Sequence, residues 1–419
     1  MYNLVLTIAE SDIYKVTLIF FALYPMFMAL VWIWSSIIYF FRREHRGDMS
    51  FYEVADEDLP AVSIIVPAYH EELTVARTLG GLLQIDYPDF EIIVVNDASD
   101  DDTLAEAQKF IHDSHVRIID KRVNEGKAMA INDALPLASG EIIMVVDGDA
   151  VPDSDVLRWV VPHFLHNPRL AAVTGNPRVR NPYTLLAKIQ TIEFSSIISL
   201  LKRSQVVWGR VMTVSGVIGV YRKSALEDVG LCVHDCVTED ISTSWEFQRR
   251  YYDIRYEPRA MVRMQVPHTL RALWSQRLRW ARGLAQTLRR NAGVWRHWRN
   301  RRIWPVYLEA SLSILWAYSF MILTTMWLIT WVIGAPLLGA TPIPEWWGML
   351  IGTISLTQLA VGVLMDRKYD PDVARYYFWA ALYPLVYWFQ MSIITCIATP
   401  GGLLHPKGPG TWRTPRSAD

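Results

Sequence analysis

Two carboxylates one residue apart, Asp147 and Asp149, follow an apolar run, Ile142 to Val146, with Gly148 between them. Such a run reads as a strand buried on both faces, as in a parallel sheet. In open α/β sheets ligands bind beyond the carboxyl ends of the strands, and a glycine there lets the backbone turn and approach a ligand closely. Two adjacent acids repel unless a cation lies between them. A hard divalent ion takes one or two carboxylates and completes its shell with water and phosphate oxygens. The pair therefore points to a metal-bound nucleotide diphosphate; taken alone, it is also what a solvated acidic turn looks like.

Other residues suit the same chemistry. Glu91–Val95 is a second strand ending in Asn96, Asp97, Ala98, Ser99 and Asp100. Asp97 and Asp147 both end strands, so right-handed crossovers bring them to one rim. Lys127, at a helix start after Asn124-Glu125-Gly126, could neutralise a diphosphate; otherwise it is a surface lysine. Thr238-Glu239-Asp240 opens a helix, and an N-cap with acids in the first turn is a sufficient local account of it. Gly216 and Gly219 interrupt a strand pattern over Val211–Tyr221, which marks a close approach. Cys232, His234 and Cys236 are close together, but one short cluster without a second ligand pair does not make a zinc site.

The elements that must hold these residues alternate. Val62–Pro67, Glu91–Val95, Val116–Ile119 and the run before Asp147 are strands, and helical stretches separate them. That order predicts a doubly wound parallel sheet. Farther on the pattern is less regular: Leu170–Gly175 reads as a strand, 175–182 as a loop and Leu185–Leu201 as a helix. Leu270–Arg290 alternates apolar residues with arginines, which predicts an interfacial amphipathic helix with its basic face towards headgroups.

The chain of 419 residues is 52% hydrophobic and 20% charged, with a net charge of −1. That composition leans towards membrane and offers no general basic field for nucleic acid. Val16–Phe41 is long enough to span, and Arg42, Arg43 and Arg46 after it place the next segment in the cytoplasm. Trp304–Ile333, Trp346–Met365 and Tyr376–Ala398 are three further runs of spanning length. The domains expected are an anchor (1–46), a cytoplasmic α/β domain (60–268), interfacial helices (269–303), membrane helices (304–398) and a tail (399–419). Three C-terminal crossings would leave that tail outside, yet it carries Lys407, Arg413 and Arg416.

VPAYHEE, VVNDASDDDT, NEGKAMAIN, VVDGDA, TED and QRLRW occur in that order. Together they resemble the motifs of membrane-integrated inverting family 2 glycosyltransferases, the cellulose, chitin and hyaluronan synthase group. Longer stretches, among them EFSSIISLLKRSQ, VSGVIGVYRKSAL, LRALWSQRLRWARG and IWPVYLE, are similar to bacterial poly-β-1,6-N-acetylglucosamine synthases. An ordered set of six motifs is far more specific than any one. Close relatives carry a second N-terminal membrane helix, for which Met1–Lys15 is too short and polar.

The resemblance implies a GT-A-like domain with about four membrane helices, in the inner membrane of a bacterium. It implies that UDP-N-acetylglucosamine is polymerised and exported as a β-linked biofilm polysaccharide. Pro67, Tyr69, Glu71, Asp97, Lys127, Asp147 and Gly216 would form the nucleotide pocket, and Asp147 with Asp149 would hold Mg²⁺ or Mn²⁺. Asp240 would be the general base beside Glu239, with Gln276, Arg279 and Trp280 over donor and acceptor. A small membrane partner subunit and activation by cyclic di-GMP at their interface are further implications. The alternatives are another synthase of the group, a transferase moving one sugar to a lipid, and a silent nucleotide-binding receptor. A nucleotide-driven transporter is disfavoured because no G-x-x-x-x-G-K-[ST] occurs.

Overall fold

The structure, a computed structural model, describes residues 2–45, 49–335, 338–339, 346–382, 387–405 and 407–408. A short helix α1 (Tyr2–Glu10) precedes α2 (Asp12–Tyr39), whose N-cap Ser11 accepts from the Tyr14 amide. α2 ends in a π-helical turn, Phe40–His45. The nine residues of α1 rise only about 14 Å, too little to span.

The α/β domain alternates β1 (Val62–Ala68), α3 (Val75–Leu82), β2 (Phe90–Asn96), α4 (Thr103–Gln108), β3 (Val116–Asp120), α5 (Lys127–Ala134) and β4 (Ile142–Val146). β5 (Val151–Pro152), α6 (Val156–Leu165), β6 (Leu170–Val179), α7 (Leu185–Glu193), α8 (Leu200–Val207) and β7 (Ile218–Arg222) come next. α9 (Lys223–Val229), α10 (Glu239–Arg249) and β8 (Asp253–Met264) complete it. The eight strands form one sheet in the order β3-β2-β1-β4-β7-β6-β8-β5. β3, β2, β1 and β4 are parallel neighbours, as the alternation predicts. β7 is antiparallel to both β4 and β6, so the far half is mixed rather than parallel.

Every residue of β1 and β4 is buried, which is why these strands read as continuous apolar runs. One sheet face packs Ile64, Val66 and Met144 against Leu79, Val160 and Phe164. The other packs Ile65, Ile93 and Val145 against Ile131, Leu226 and Phe247.

Several expectations are corrected. β6 runs on through Gly175–Val179, a stretch expected as a loop, because β8 pairs with it there. Only Ile218–Arg222 of the Val211–Tyr221 pattern is strand. The helix expected over Leu185–Leu201 reaches Val207 and contains a π-helical turn at Phe194–Ser199.

α11 (Leu270–Arg290) leads through two 3-10 turns to α12 (Trp304–Val332), and α13 (Trp346–Asp366) lies beyond it in the chain. α2 with its π turn, α12 and α13 are long and apolar enough to cross a membrane. The described residues of the third C-terminal run form a 3-10 stretch, Pro371–Leu382, and the 17-residue α14 (Trp388–Leu404), and residues 383–386 lie outside them. α14 starts beside Trp316, midway along α12, with Trp388 and Trp316 ring centroids 5.7 Å apart. It ends against α11 and the α/β domain: Gln286 Nε2 of α11 donates to His405 O at 3.0 Å and the Gly408 amide to Asp235 O at 3.0 Å. A Cβ on Gly402 would lie 2.5 Å from Arg282 O, so small residues let α14 pack directly on α11. The described part of the tail thus returns to the domain's side, which removes the conflict over Lys407; Arg413 and Arg416 lie outside the described residues.

α11 departs from a simple interfacial helix. Arg277, Gln286 and Thr287 are buried, whereas Leu270 is 65% exposed. Arg277 leaves the basic face to form an ion pair with Glu193 of α7 at 2.7 Å.

A buried ionic node joins the apolar helices to the sheet. Arg203 of α8 pairs with Glu44 at 2.6 Å and with Asp366 at 2.8 Å, and Asp366 also pairs with Arg178 of β6 at 2.6 Å. Tyr369 OH donates to Glu44 at 2.7 Å, and Ser199 and Ser195 accept from Arg203 and Arg178.

Candidate active site

The carboxyl ends of β1, β2 and β4 form one edge of the sheet. Ala68 is level with Asn96, and the Asp97 amide donates to Ala68 O at 2.9 Å. Asp97 is 1% exposed. Its two oxygens accept from the Glu125 and Gly126 amides at 3.2 and 2.7 Å, and Lys121 lies 3.3 Å away. Asp97 thus holds the turn that starts α5, where Gly126 has φ +89°.

That turn delivers Lys127 to the next strand end. Its Nζ donates to Asp147 Oδ1 at 2.6 Å and to Gly216 O at 2.6 Å, with Glu239 at 3.5 Å. Burial opposes the charge on Lys127, but Asp147, Glu239 and Asp240 hold its pKa above the usual lysine value. A Cβ at Gly216 would lie 3.2 Å from Asp240 Oδ2 and 3.4 Å from Lys127 Nζ, so the absence of a side chain keeps this junction open. Residues scattered from 127 to 240 in the chain meet here.

Glu71 is buried behind the acidic pair, its carboxylate accepting from Thr74 Oγ1 at 2.5 Å. A Cβ at Gly148 would come within 2.9 Å of Glu71 Cγ, which accounts for the glycine. Asp149 is 6% exposed and in electrostatic reach of Arg180. Pro67 is buried within β1, level with Val95. The Tyr69 ring stacks on His70 at 3.9 Å, and His70 has φ +56°.

Glu239 and Asp240 occupy the first turn of α10. Thr238 precedes them but does not cap the helix through its side chain, since Oγ1 is buried without a hydrogen-bond partner against Gly283 of α11. Asp240 Oδ1 accepts from the Ile241 amide at 2.8 Å. Burial, then Glu239, push its pKa up; Lys127, the Ile241 amide and Arg279 oppose, and the balance is about 6. α11 is fixed over this turn by Gln286, which accepts from the Val237 amide at 3.0 Å, and by the Ser242–Thr287 contact of 2.9 Å. That packing brings Arg279 within electrostatic reach of Asp240. Gln276 and Trp280 are half-buried on the same helix, and the Arg277 guanidinium covers one face of the Trp280 indole at 4.2 Å.

Two groups beside the site are not among the residues expected to form it. Lys202 is 5% exposed, with Nζ donating to Thr174 Oγ1 at 2.8 Å and Gly175 O at 3.2 Å. Burial brings its ammonium down to about 7, against the pull of Asp240 and with help from Arg178. Arg180 carries two buried guanidinium nitrogens without hydrogen-bond partners among the described residues, close to Arg77 and Asp149. Lys202 lies within EFSSIISLLKRSQ beside Arg203, and Arg180 follows Arg178 in NPRVRNP, so charge alone does not single either of them out.

The metal question turns on donor chemistry. Among the described residues no group of three or more His, Cys, Asp or Glu could hold a metal. Two carboxylates at a strand end still fit a hard cation whose remaining ligands are phosphate oxygens and water. A zinc site at residues 232–236 does not fit: Cys232 and Cys236 are buried free thiols, and burial pushes Cys232 up to about 12.

Comparison with known proteins agrees with this architecture. A mannosyltransferase from Pyrobaculum calidifontis, solved with GDP-Man and Mn²⁺, superposes with TM-score 0.60 at 22% identity. The match covers 87% of this chain and 98% of that one, and shows a shared GT-A-like fold. The poly-β-1,6-N-acetyl-D-glucosamine synthase of Staphylococcus epidermidis is 36% identical over 404 residues, 94% of this chain and 97% of the relative. The synthase of the same name from Staphylococcus aureus is 35% identical over 400 residues, with the same shares. Residues 60–283 match the family described as Glycosyltransferase like family 2, and the chain belongs to that family.

Proposed function

We propose that this chain is a membrane-integrated, processive, inverting glycosyltransferase that polymerises N-acetylglucosamine from UDP-N-acetylglucosamine into a β-linked exopolysaccharide. The observation that carries the reading is the cluster of Asp147, Lys127, Glu239 and Asp240, in which a half-buried carboxylate with a pKa of about 6 lies beside the strand-end acids. The extended similarity to named polymer synthases supports the sugar and the polymer.

In this reading Asp240 accepts the proton of the acceptor hydroxyl, and the oxygen attacks the anomeric carbon on the face opposite the leaving UDP. One base and in-line displacement invert the anomer, so an α-linked donor gives a β-linked product. A pKa near the working pH suits a general base. Lys127 and Arg279 stabilise the charge that develops on the diphosphate, commonly the largest catalytic contribution. Asp97 keeps the Lys127 turn in place, and the uncovered edge of Trp280 lines the acceptor path. Mg²⁺ or Mn²⁺, held by Asp147 and Asp149, would supply Lewis-acid stabilisation of the leaving group.

We further infer a multi-pass protein of the bacterial inner membrane with its α/β domain in the cytoplasm. The basic residues Arg42 and Arg43 after α2, and Arg299, Arg301 and Arg302 before α12, support that orientation. A polymer made there must be exported beside the membrane helices, and a small partner subunit with cyclic di-GMP activation belongs to the same proposal.

The test is UDP release from UDP-N-acetylglucosamine by purified membranes, with and without divalent metal and cyclic di-GMP, with sizing of the product. Metal-dependent release and high-mass product support the synthase. A single sugar on a lipid would replace it with a non-processive transferase. Polymer confined to the synthesis side of sealed vesicles would overturn coupled export.

A further inference from the structure

Away from the site, a cavity of about 480 Å³ lies at the starts of β6 and β8, where α12 approaches the domain. Arg169, Arg250, Arg299, Arg301 and Arg302 line it with two tyrosines. Arg210 stands beside it, 5% exposed, with Nε and Nη2 buried and lacking hydrogen-bond partners among the described residues. Burial depresses its ionisation, Asp253 opposes, and Arg302 and Arg169 add to the depression. Among the described residues the nearby carboxylates are fewer than the arginines. Asp228 is taken by Arg250 at 3.2 Å, and Asp253 stands 3.8 Å from Arg210. A buried guanidinium among other arginines is a costly arrangement until an anion neutralises it.

The position of the cavity says where the anion comes from. The turn Trp298–Arg302 runs directly into α12, one of the spanning-length helices. Trp298 is 69% and Trp295 43% exposed, and both rings pack on Trp304 at 5.5 and 5.0 Å. Exposed tryptophans beside arginines at the end of an apolar helix mark the headgroup level of a bilayer.

We infer that the cavity of Arg169, Arg299, Arg301 and Arg302, backed by Arg210, is a binding site for the phosphate of an anionic phospholipid. Arginine's planar fork suits a phosphodiester. The bound headgroup would pin the entry of α12 to the edge of the sheet, so the site ties the membrane's charge to the seating of the catalytic domain.

The experiment uses the full chain in nanodiscs of phosphatidylcholine alone or with phosphatidylglycerol, with retained lipid read by native mass spectrometry. Wild-type protein should retain phosphatidylglycerol selectively. Each arginine removed should cost about fivefold, so Arg301→Gln with Arg302→Gln should lose roughly 30-fold. These two side chains are exposed, so the double variant tests the site even if Arg210→Gln does not fold. Unchanged retention in the double variant would overturn the proposal. So would arginine-dependent binding of inorganic pyrophosphate in pure phosphatidylcholine without phosphatidylglycerol enrichment, which would assign the cavity to a soluble phosphate.

Discussion

Burial holds Asp240 at about 6, so the carboxylate that must take a proton is half protonated there. The base works ionised, so activity should rise with pH through about 6 and level off above 7. A pH profile of UDP release checks this, and a flat profile between 5 and 7 would count against Asp240 as the base. Asp240→Asn should lower the rate by about 10²–10⁴-fold while leaving donor binding largely intact. For Asp149→Asn, a divalent-metal titration of UDP release should show a higher half-saturating concentration and a lower plateau. Asp97, Lys127, Asp147 and Asp149 were legible in the sequence because buried strands end in polar turns and the topology puts those turns on one rim. Lys202 and Arg180 were not, since only the tertiary structure shows that their charges are enclosed.

At the scale of elements, α11 is held over the active-site turn by contacts of opposite kinds, close packing at Gly283 and the ion pair of Arg277 with Glu193. Glu193 also accepts from Tyr387, and burial raises its pKa against both partners. Removing one member of a buried pair typically costs about 3–5 kcal/mol, because the other charge is stranded. Arg277→Met should therefore lower the thermal midpoint in detergent clearly, and Glu193→Gln in the same chain should recover part of the loss. A double variant whose loss equals the sum of the two single losses would show that the pair is not coupled. β8 is the element the sequence hid most completely. Arg255, Glu257, Arg259 and Arg263 break its apolar pattern, and Pro258 argues against a strand. It pairs nonetheless, because its register with β6 shifts between Thr174 and Asn176, opposite the stretch that contains Pro258. In the last apolar run, length and composition could not show that α14 begins halfway along its neighbour.

For the whole molecule, the path of α14 makes a topological prediction. Lys407, its side chain 81% exposed, lies 3.9 Å from Asp235 of the α/β domain. A cysteine placed there by Lys407→Cys should react with an impermeant maleimide only from the side of that domain. Labelling from the opposite face of sealed vesicles would restore a full fourth crossing.

The ionic node of Arg203, Arg178, Glu44 and Asp366 has a practical consequence. Two of its positive charges belong to the α/β domain, and both of its negative charges sit at the ends of apolar helices. Residues 60–268 expressed alone would strip Arg178 and Arg203 of their counter-ions and uncover the surface of α8 and its π-helical turn that α2 and α13 cover. The domain should then aggregate or fold only in part, whereas a version that keeps 12–45 and 346–370 should give a sharp melting transition. The catalytic half of this chain is inseparable from its anchors: its solubility limit is written into the same four side chains that fasten it to them.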